Sequence, residues 1–145
     1  MPVVSYLSVS SRPPMVGVAC DPRGFTCRLA LKARAFSLSV LDRAKAEGMS
    51  GLATVSGAKV RDKLSEVGLA YERGARTKAP VLRDAVATIE CALESRKKMG
   101  DHLVLFGKVV AANASDAFTD FWDYRSYRPV LYTGWKDRLS LYGEP

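Results

Sequence analysis

The chain has 145 residues, of which 48% are hydrophobic and 26% charged, and these values are typical of one globular domain. They exclude a disordered chain, a collagen-like chain and a disulfide miniprotein, and no apolar run approaches the ~18 residues that a membrane span needs. The net charge of +7 is compatible with nucleic acid, an anionic membrane surface or small phosphorylated ligands, and also with a solvated basic surface without a special partner.

The first part of the chain predicts strands around one helix. Residues 3–8 alternate roughly between apolar and polar side chains, and residues 15–20 form an apolar run of strand length. After a turn, Thr26 is predicted to be the N-cap of a helix in which apolar residues recur at helical spacing. Residues 36–41 alternate strictly, which indicates a half-buried strand.

The middle of the chain predicts short helices and loops. Asp42 is predicted to cap a short helix at residues 43–48. Residues 50–57 are rich in Ser, Gly and Thr and predict a loop, whereas residues 59–67 predict a short polar helix. Small strands around an irregular basic loop are predicted at residues 69–71 and 81–82.

A long hairpin follows. Residues 85–95 predict a strand with Cys91 and its apolar neighbours on one face and Glu90 and Glu94 on the other. A turn at residues 98–101 leads into the next strand.

The strand at residues 103–112 is apolar on both faces, so we expect it to be covered on both sides, by the core and by something else. Residues 114–124 predict a short helix or lid, and residues 130–133 and 138–142 the final strands. About seven or eight strands with short helices predict a mainly β fold, a closed or partly closed antiparallel barrel with Greek-key connections.

The cysteines set the expected compartment. Cys20, Cys27 and Cys91 form no Cys-x-x-Cys pair, and an odd number favours free thiols in a reducing compartment, so we expect a cytoplasmic protein. Cys20 and Cys27 with the single His102 match no zinc spacing, and no metal site is predicted. Because the sequence also lacks a hydrolase triad, a P-loop and a dinucleotide fingerprint, redox chemistry would require a bound cofactor.

One group of residues predicts an anion site. Thr26 opens a helix, whose free N–H groups attract anions, and Arg23 adds charge beside it. Ser56 and Lys63 could converge on the same phosphate. The alternatives are a simple N-cap for Thr26 and a solvated helix face for Lys63.

Two aromatic side chains are further candidates. His102 begins the long apolar strand, where a catalytic role competes with a structural one on the surface. Trp135 could stack on a planar ligand or pack in the core.

Six groups of segments form an ordered set of motifs along the chain. They are residues 13–19, 21–41, 56–57 with 62–63, 79–82 with 85–91, 100–109 and 127–132. The order of these motifs resembles the flavin reductase-like family, the FMN-binding split barrels. The match covers nearly the whole chain, and the ordered set is more specific than any one motif.

This resemblance implies a six-stranded Greek-key barrel that dimerises and holds a flavin near the subunit interface. The flavin is FMN, with FAD as the alternative. It implies that Thr26 binds the flavin phosphate with the help of Lys63 and Arg23, and that His102 lies beside the flavin or the nicotinamide of NAD(P)H. It also places Trp135 against the cofactor.

The first strand of the chain has an implied role as well. Residues 6–11 would run along the isoalloxazine edge and contact it through backbone amides and side-chain hydroxyls. The residues concerned are Tyr6, Ser8, Ser10 and Ser11.

Relatives usually carry a further strand before the first matching segment, so residues 1–145 are expected to form a single domain that lacks the family's first strand. Cys27 also stands where relatives often carry a polar residue.

The resemblance predicts an FMN-binding oxidoreductase that passes electrons from NAD(P)H to flavin, iron or an acceptor protein. The alternatives are a flavoredoxin-like electron carrier without direct NAD(P)H activity and a dimeric family member without cofactor. A barrel that binds single-stranded nucleic acid is less well supported, because the aromatic residues crowd near the C-terminal end instead of being spaced along strands.

Overall fold

The structure is a computed structural model, and it describes residues 1–3, 6–116, 128, 130–132 and 139–141. Within these residues the chain is mainly β with a few short helices, as predicted. The strands are β1 (Tyr6–Ser11), β2 (Pro14–Cys20), β3 (Ala35–Val40), β4 (Tyr71–Arg73), β5 (Pro80–Leu82), β6 (Ala87–Met99), β7 (His102–Ala114), β8 (Val130–Tyr132) and β9 (Leu139–Leu141). The helices are α1 (Phe25–Ala33), α2 (Ala46–Thr54) and α3 (Lys63–Glu66), with a 3₁₀ turn at Arg43–Lys45 before α2.

Five strands form the main sheet in the order β1-β2-β7-β6-β3, and every neighbouring pair is antiparallel. β4–β5 and β8–β9 each form a separate two-stranded sheet. One groove is lined by Tyr6 of β1 and Val40 of β3, so the sheet curls until its two outermost strands approach each other. A closed Greek-key barrel remains a prediction.

The β6–β7 hairpin dominates the sheet. Met99 pairs with His102 across a tight turn at Gly100 and Asp101. Gly100 has a φ of +60°, which glycine adopts without steric cost. The predicted turn at residues 98–101 is therefore confirmed.

The main core lies under this sheet and is closed by α1. Its most buried members include Cys91, Cys27, Leu105 and Cys20, which expose at most 2% of their surface. Phe36 packs over Gly107, where a Cβ would lie 2.6 Å from the ring. A smaller cluster joins α2 and α3 to the β4–β5 side of the molecule; it contains Leu41, Leu52 and Leu69.

Only one face of β7 is well covered in a single chain. Leu105 is buried on the core side, whereas Lys108 is exposed on the other. The expected cover over the second face remains a prediction.

Two of the predicted helix and loop boundaries are wrong. Residues 50–54 belong to α2, because Gly48 and Gly51 let the helix approach Leu69 and Val67 so closely that a Cβ at either glycine would clash. The polar helix predicted at residues 59–67 is shorter and starts after Asp62, whose carboxylate accepts from Ser65 N.

Two predicted helix caps have different outcomes. Asp42 caps the 3₁₀ turn by accepting from Ala44 N, as predicted. Thr26 is not an N-cap, because the turn from Asp21 runs directly into the helix and makes Gly24 the N-cap. Thr26 is instead the second residue of α1.

Glu90 and Cys91 are adjacent in β6 and lie on opposite faces of the strand, as predicted, with Cys91 in the main core. Glu90 is 6% exposed, since the loop at residues 74–79 folds over its carboxylate. No helix in the described part of the chain is long and apolar enough to cross a membrane.

Candidate functional site

The start of α1 carries amides that no side chain of the described residues caps. Gly24 N donates to the Asp21 carbonyl at 2.9 Å, and Arg28 N donates to the Gly24 carbonyl at 3.2 Å. Neither a capping side chain nor an acidic residue occurs in the first turn. The N–H groups of Phe25 and Thr26 therefore remain available to an anion, which the helix dipole favours at this end.

Two distant segments join the start of α1. Gly57 lies against the Phe25 ring, where an added Cβ would be 3.0 Å from Cδ1 of the ring and 3.8 Å from Cδ of Lys63. The fold therefore brings together the helix start, the loop after α2 and the first residue of α3. These are the segments that the sequence predicts to share one phosphate.

Lys63 supplies an ammonium group without an ionic partner among the described residues. Its Nζ donates to the Leu52 carbonyl at 2.6 Å. Burial lowers the pKa of Lys63, because partial removal from water disfavours the charged form. A half-buried cation whose assigned acceptor is a neutral carbonyl retains the capacity to bind an anion.

Arg23 precedes the helix start but is already paired. Its Nε donates to Oδ1 of Asp21 and its Nη2 to Oδ2, both at 3.1 Å. The hydrogen bond from Arg23 is the main reason why the pKa of Asp21 is lowered. An anion at this place would therefore compete with Asp21 for the guanidinium.

His102 lies near the same turn. Cys20, the last residue of β2, pairs with Leu103, so His102 at the start of β7 lies just beyond the end of β2. The Nδ1 atom of His102 lies 2.8 Å from Oδ1 of Asp101, and this hydrogen bond lowers the pKa of Asp101. His102 contributes in turn to the lowered pKa of Asp21, which places the imidazole beside the turn that leads into α1.

The two predicted hydroxyl ligands are exposed. Thr26 lies in the first turn of α1, and Ser56 accepts a hydrogen bond from Ala58 N at 3.3 Å. Both occupy the segments that meet around Lys63.

The predicted serines of β1 lie elsewhere on the sheet. Ser11 pairs with Pro14 and Ser10 with Met15, so these two serines lie at the opposite end of β2 from Cys20, roughly 20 Å away at ~3.3 Å per residue. Ser8 pairs with Val16. The structure does not bring these serines to the start of α1.

Tyr6 lines a separate groove of about 280 Å³ between β1 and β3, the two edge strands of the main sheet. Its other walls come from the end of β3, the start of β6 and the end of β7. They are Val40, Ala87, Thr88, Ile89, Ala112, Asn113 and Ala114. Trp135 lies outside the described residues.

The cysteines are free and buried. The Sγ atoms of Cys20 and Cys27 lie 2.8 Å apart, and Cys20 Sγ also lies 3.4 Å from the Leu103 carbonyl. No group of three or more His, Cys, Asp or Glu side chains in the described ranges could hold a metal ion.

The sequence did not point to the roles of Phe25 and Asp101. Phe25 supports Gly57, and Asp101 orients the His102 ring. A signal for Phe25 existed in Gly57, because a loop glycine often marks a close approach. Nothing local pairs the two segments, however, since their contact depends on the packing of α2.

Comparison with known proteins gives a consistent family. The family model described as "Flavin reductase like domain" matches residues 1–133. An uncharacterised protein of Aeropyrum pernix is 31% identical over 130 residues, which are 89% of this chain and 49% of that protein. A flavin reductase of Pseudomonas putida is 32% identical over 109 residues, which are 75% of this chain and 60% of that enzyme.

A solved structure shares the same fold. The FMN-binding protein from Thermus thermophilus with bound p-hydroxybenzaldehyde superposes with a TM-score of 0.80 at 29% identity, and covers 97% of this chain and 75% of its own. The chain spans about half to three fifths of the two curated relatives described above.

Proposed function

Because the chain belongs to the flavin reductase-like family, we propose that it binds FMN and passes electrons from NAD(P)H to flavin or to a downstream acceptor. FMN would supply the hydride chemistry, and the polypeptide would bind it, orient it and exclude water. A flavin reductase and an FMN-binding protein among the similar proteins support this proposal.

The observation that carries the proposal is the convergence at the start of α1. Its uncapped amides, the loop at Gly57 and the Lys63 ammonium form one anion-attracting surface. In this proposal Thr26, Ser56 and Lys63 hold the flavin phosphate, and Arg23 adds charge after it separates from Asp21.

The remaining residues have proposed roles around the ring system. His102 would face the flavin or the nicotinamide, with its ring oriented by Asp101. Ser8, Ser10 and Ser11, together with Tyr6, would border the isoalloxazine, and Trp135 would stack on the cofactor. Ser10 and Ser11 lie at the opposite end of β2 from Cys20, so in this proposal one flavin extends along the sheet or a second protomer supplies one of the two regions.

We further propose a cytoplasmic homodimer. Leu7 and Val9 flank Gly17, which pairs with Phe106, so they lie on the sheet face of Phe106. Leu7 is 53% and Val9 is 41% exposed, and burial in a second copy would remove this apolar surface from water. The three free thiols support a reducing compartment.

The visible spectrum and steady-state turnover test this function. The purified chain, titrated with FMN, is expected to show a flavin band near ~450 nm with shifted fine structure and to oxidise NADH or NADPH when free flavin is the acceptor. The same titration with FAD in place of FMN identifies which flavin binds more tightly. A chain that binds neither flavin by equilibrium dialysis and leaves both nicotinamides unoxidised contradicts the proposal.

A further inference from the structure

A buried thiol pair joins the end of β2 to the first turn of α1. Cys20 exposes 2% of its surface and Cys27 exposes 1%, and their Sγ atoms are 2.8 Å apart. This separation is only about 0.8 Å longer than a disulfide bond of ~2.05 Å, so a small side-chain adjustment would close it. Cys91 is equally buried, and no sulfur contact is assigned to it within the described residues.

We propose that Cys20 and Cys27 are a redox-sensitive pair that closes reversibly to a disulfide across the turn before α1. The ring so formed contains Asp21, Arg23 and Thr26 and fixes the start of the helix to the sheet. This proposal concerns the thiols alone and does not depend on flavin binding.

The proposed oxidant is hydrogen peroxide, which is small and uncharged. The sulfur of one cysteine attacks a peroxide oxygen, the O–O bond breaks, and a sulfenic acid and water result. The sulfur of the other cysteine then attacks the sulfenic sulfur, the S–O bond breaks, and a second water leaves. Two thiols and one peroxide thus give one disulfide and two waters, and a dithiol reductant restores both thiols by exchange.

The protein environment makes this reaction slow near neutral pH. Burial raises the pKa of Cys20 to about 12, and the contact with Cys27 adds to the effect, so the reactive thiolate is scarce. Burial likewise raises the pKa of Cys91 to about 11. What distinguishes the pair from Cys91 is therefore its geometry, because within the described part of the chain Cys20 and Cys27 have a cysteine sulfur in contact and Cys91 has none.

Peptide mapping tests the pair directly. The folded chain is treated with hydrogen peroxide, quenched, unfolded and alkylated with N-ethylmaleimide, then digested with trypsin. Trypsin separates residues 1–23 from residues 24–28 by cleavage after Arg23, so the proposed disulfide holds two peptides together. We expect this linked peptide and alkylation of Cys91 alone, with all three cysteines alkylated after reduction.

Matched variants supply the controls. Cys91→Ala should keep the linked peptide, and Cys20→Ala or Cys27→Ala should abolish it. In the wild type and in Cys91→Ala, oxidation should raise the midpoint of thermal unfolding by roughly 5 °C, reversibly, because a short loop is closed in the unfolded state. Three alkylated cysteines after peroxide treatment, over-oxidised cysteines without a link, or a link through Cys91 would overturn the proposal, and the wild-type map decides this even if a variant fails to fold.

Discussion

The loop at residues 74–79 and the start of α1 both gather backbone N–H groups, but only the loop encloses an anion of its own. Glu90 accepts hydrogen bonds from Ala75 N and Thr77 N at 2.8 Å, from Arg76 N at 3.0 Å and from the Thr77 hydroxyl at 2.8 Å. At the start of α1, no side chain among the residues that the structure describes accepts from the free amides.

The difference separates a structural anion site from the proposed phosphate site at α1, where no anion is found among the described residues. The loop amides already donate to Glu90, so the exposed basic residues around the loop do not add to an open anion site. The start of α1 keeps its donors and adds Lys63, whose hydrogen bond goes to a neutral carbonyl. An external phosphate bound at α1 would accept hydrogen bonds from the free amides there, as the Glu90 carboxylate does in the loop.

The largest expected effect is on the closed site. Glu90→Gln should lower the free energy of unfolding by about 3 kcal/mol, because the amide cannot accept all four hydrogen bonds and turns its own donors toward the loop amides. Urea denaturation measures this, with the exposed Glu94→Gln on the same strand as the control. If Glu90→Gln instead left stability unchanged and abolished flavin binding, the contrast between the two sites would be wrong.

The next effect is on the open site. Lys63→Ala should weaken FMN binding roughly 10- to 100-fold, since a charge-assisted hydrogen bond to phosphate is lost. Fluorescence titration measures the affinity, and Lys59→Ala, an exposed lysine nearby, is the matched control.

Riboflavin provides an internal check on the same variant because it lacks the phosphate. Its affinity should be equal for the wild type and Lys63→Ala. A parallel loss for riboflavin and FMN would mean that Lys63 supports the fold of the site and does not bind phosphate.

A smaller effect follows from the titration of Glu90. Burial alone would raise the pKa of Glu90, but the hydrogen bonds from Thr77, Arg76 and Ala75 outweigh it and hold the pKa below its ordinary value of 4.5. The unfolded chain then binds the proton more readily, so this stabilisation is present above about pH 4.5 and is lost as the pH falls through the folded-state pKa.

Urea denaturation from about pH 6 to about pH 3 should therefore show a steeper loss of stability in the wild type than in Glu90→Gln. Equal slopes would show that Glu90 is not ionised in its pocket.

Elements defined by local pattern could be predicted from the sequence. The alternation in β3, the apolar run of β2 and the turn at Gly100 each depend on neighbouring residues, and the structure has them where they were expected. The Asp42 cap belongs to the same class.

Features that depend on long-range packing could not be predicted. The glycines at 48 and 51 disfavour a helix by intrinsic propensity, and only contact with Val67 and Leu69 explains why α2 continues through them. Glu90 alternates like a solvent-facing residue, and the loop that covers it comes from another part of the chain. The candidate site is an intermediate case: its residues could be named, but the contact of Phe25 with Gly57 required the fold.

The smallest effects concern the pair of Asp21 and Arg23, which sets how much positive charge the open site presents. Arg23→Ala should weaken FMN binding about 3-fold, and Asp21→Asn should strengthen it by a similar factor, because the guanidinium is then free to turn toward the phosphate. Both side chains are exposed, so the free energy of unfolding should stay within error of the wild-type value. Titration at low and high salt checks the cause, since both shifts should shrink as salt screens the charges. Opposite shifts of the FMN affinity in the two variants would show that Asp21 competes with the ligand for Arg23. Weaker FMN binding in both variants would show instead that the ion pair acts as one unit that shapes the turn.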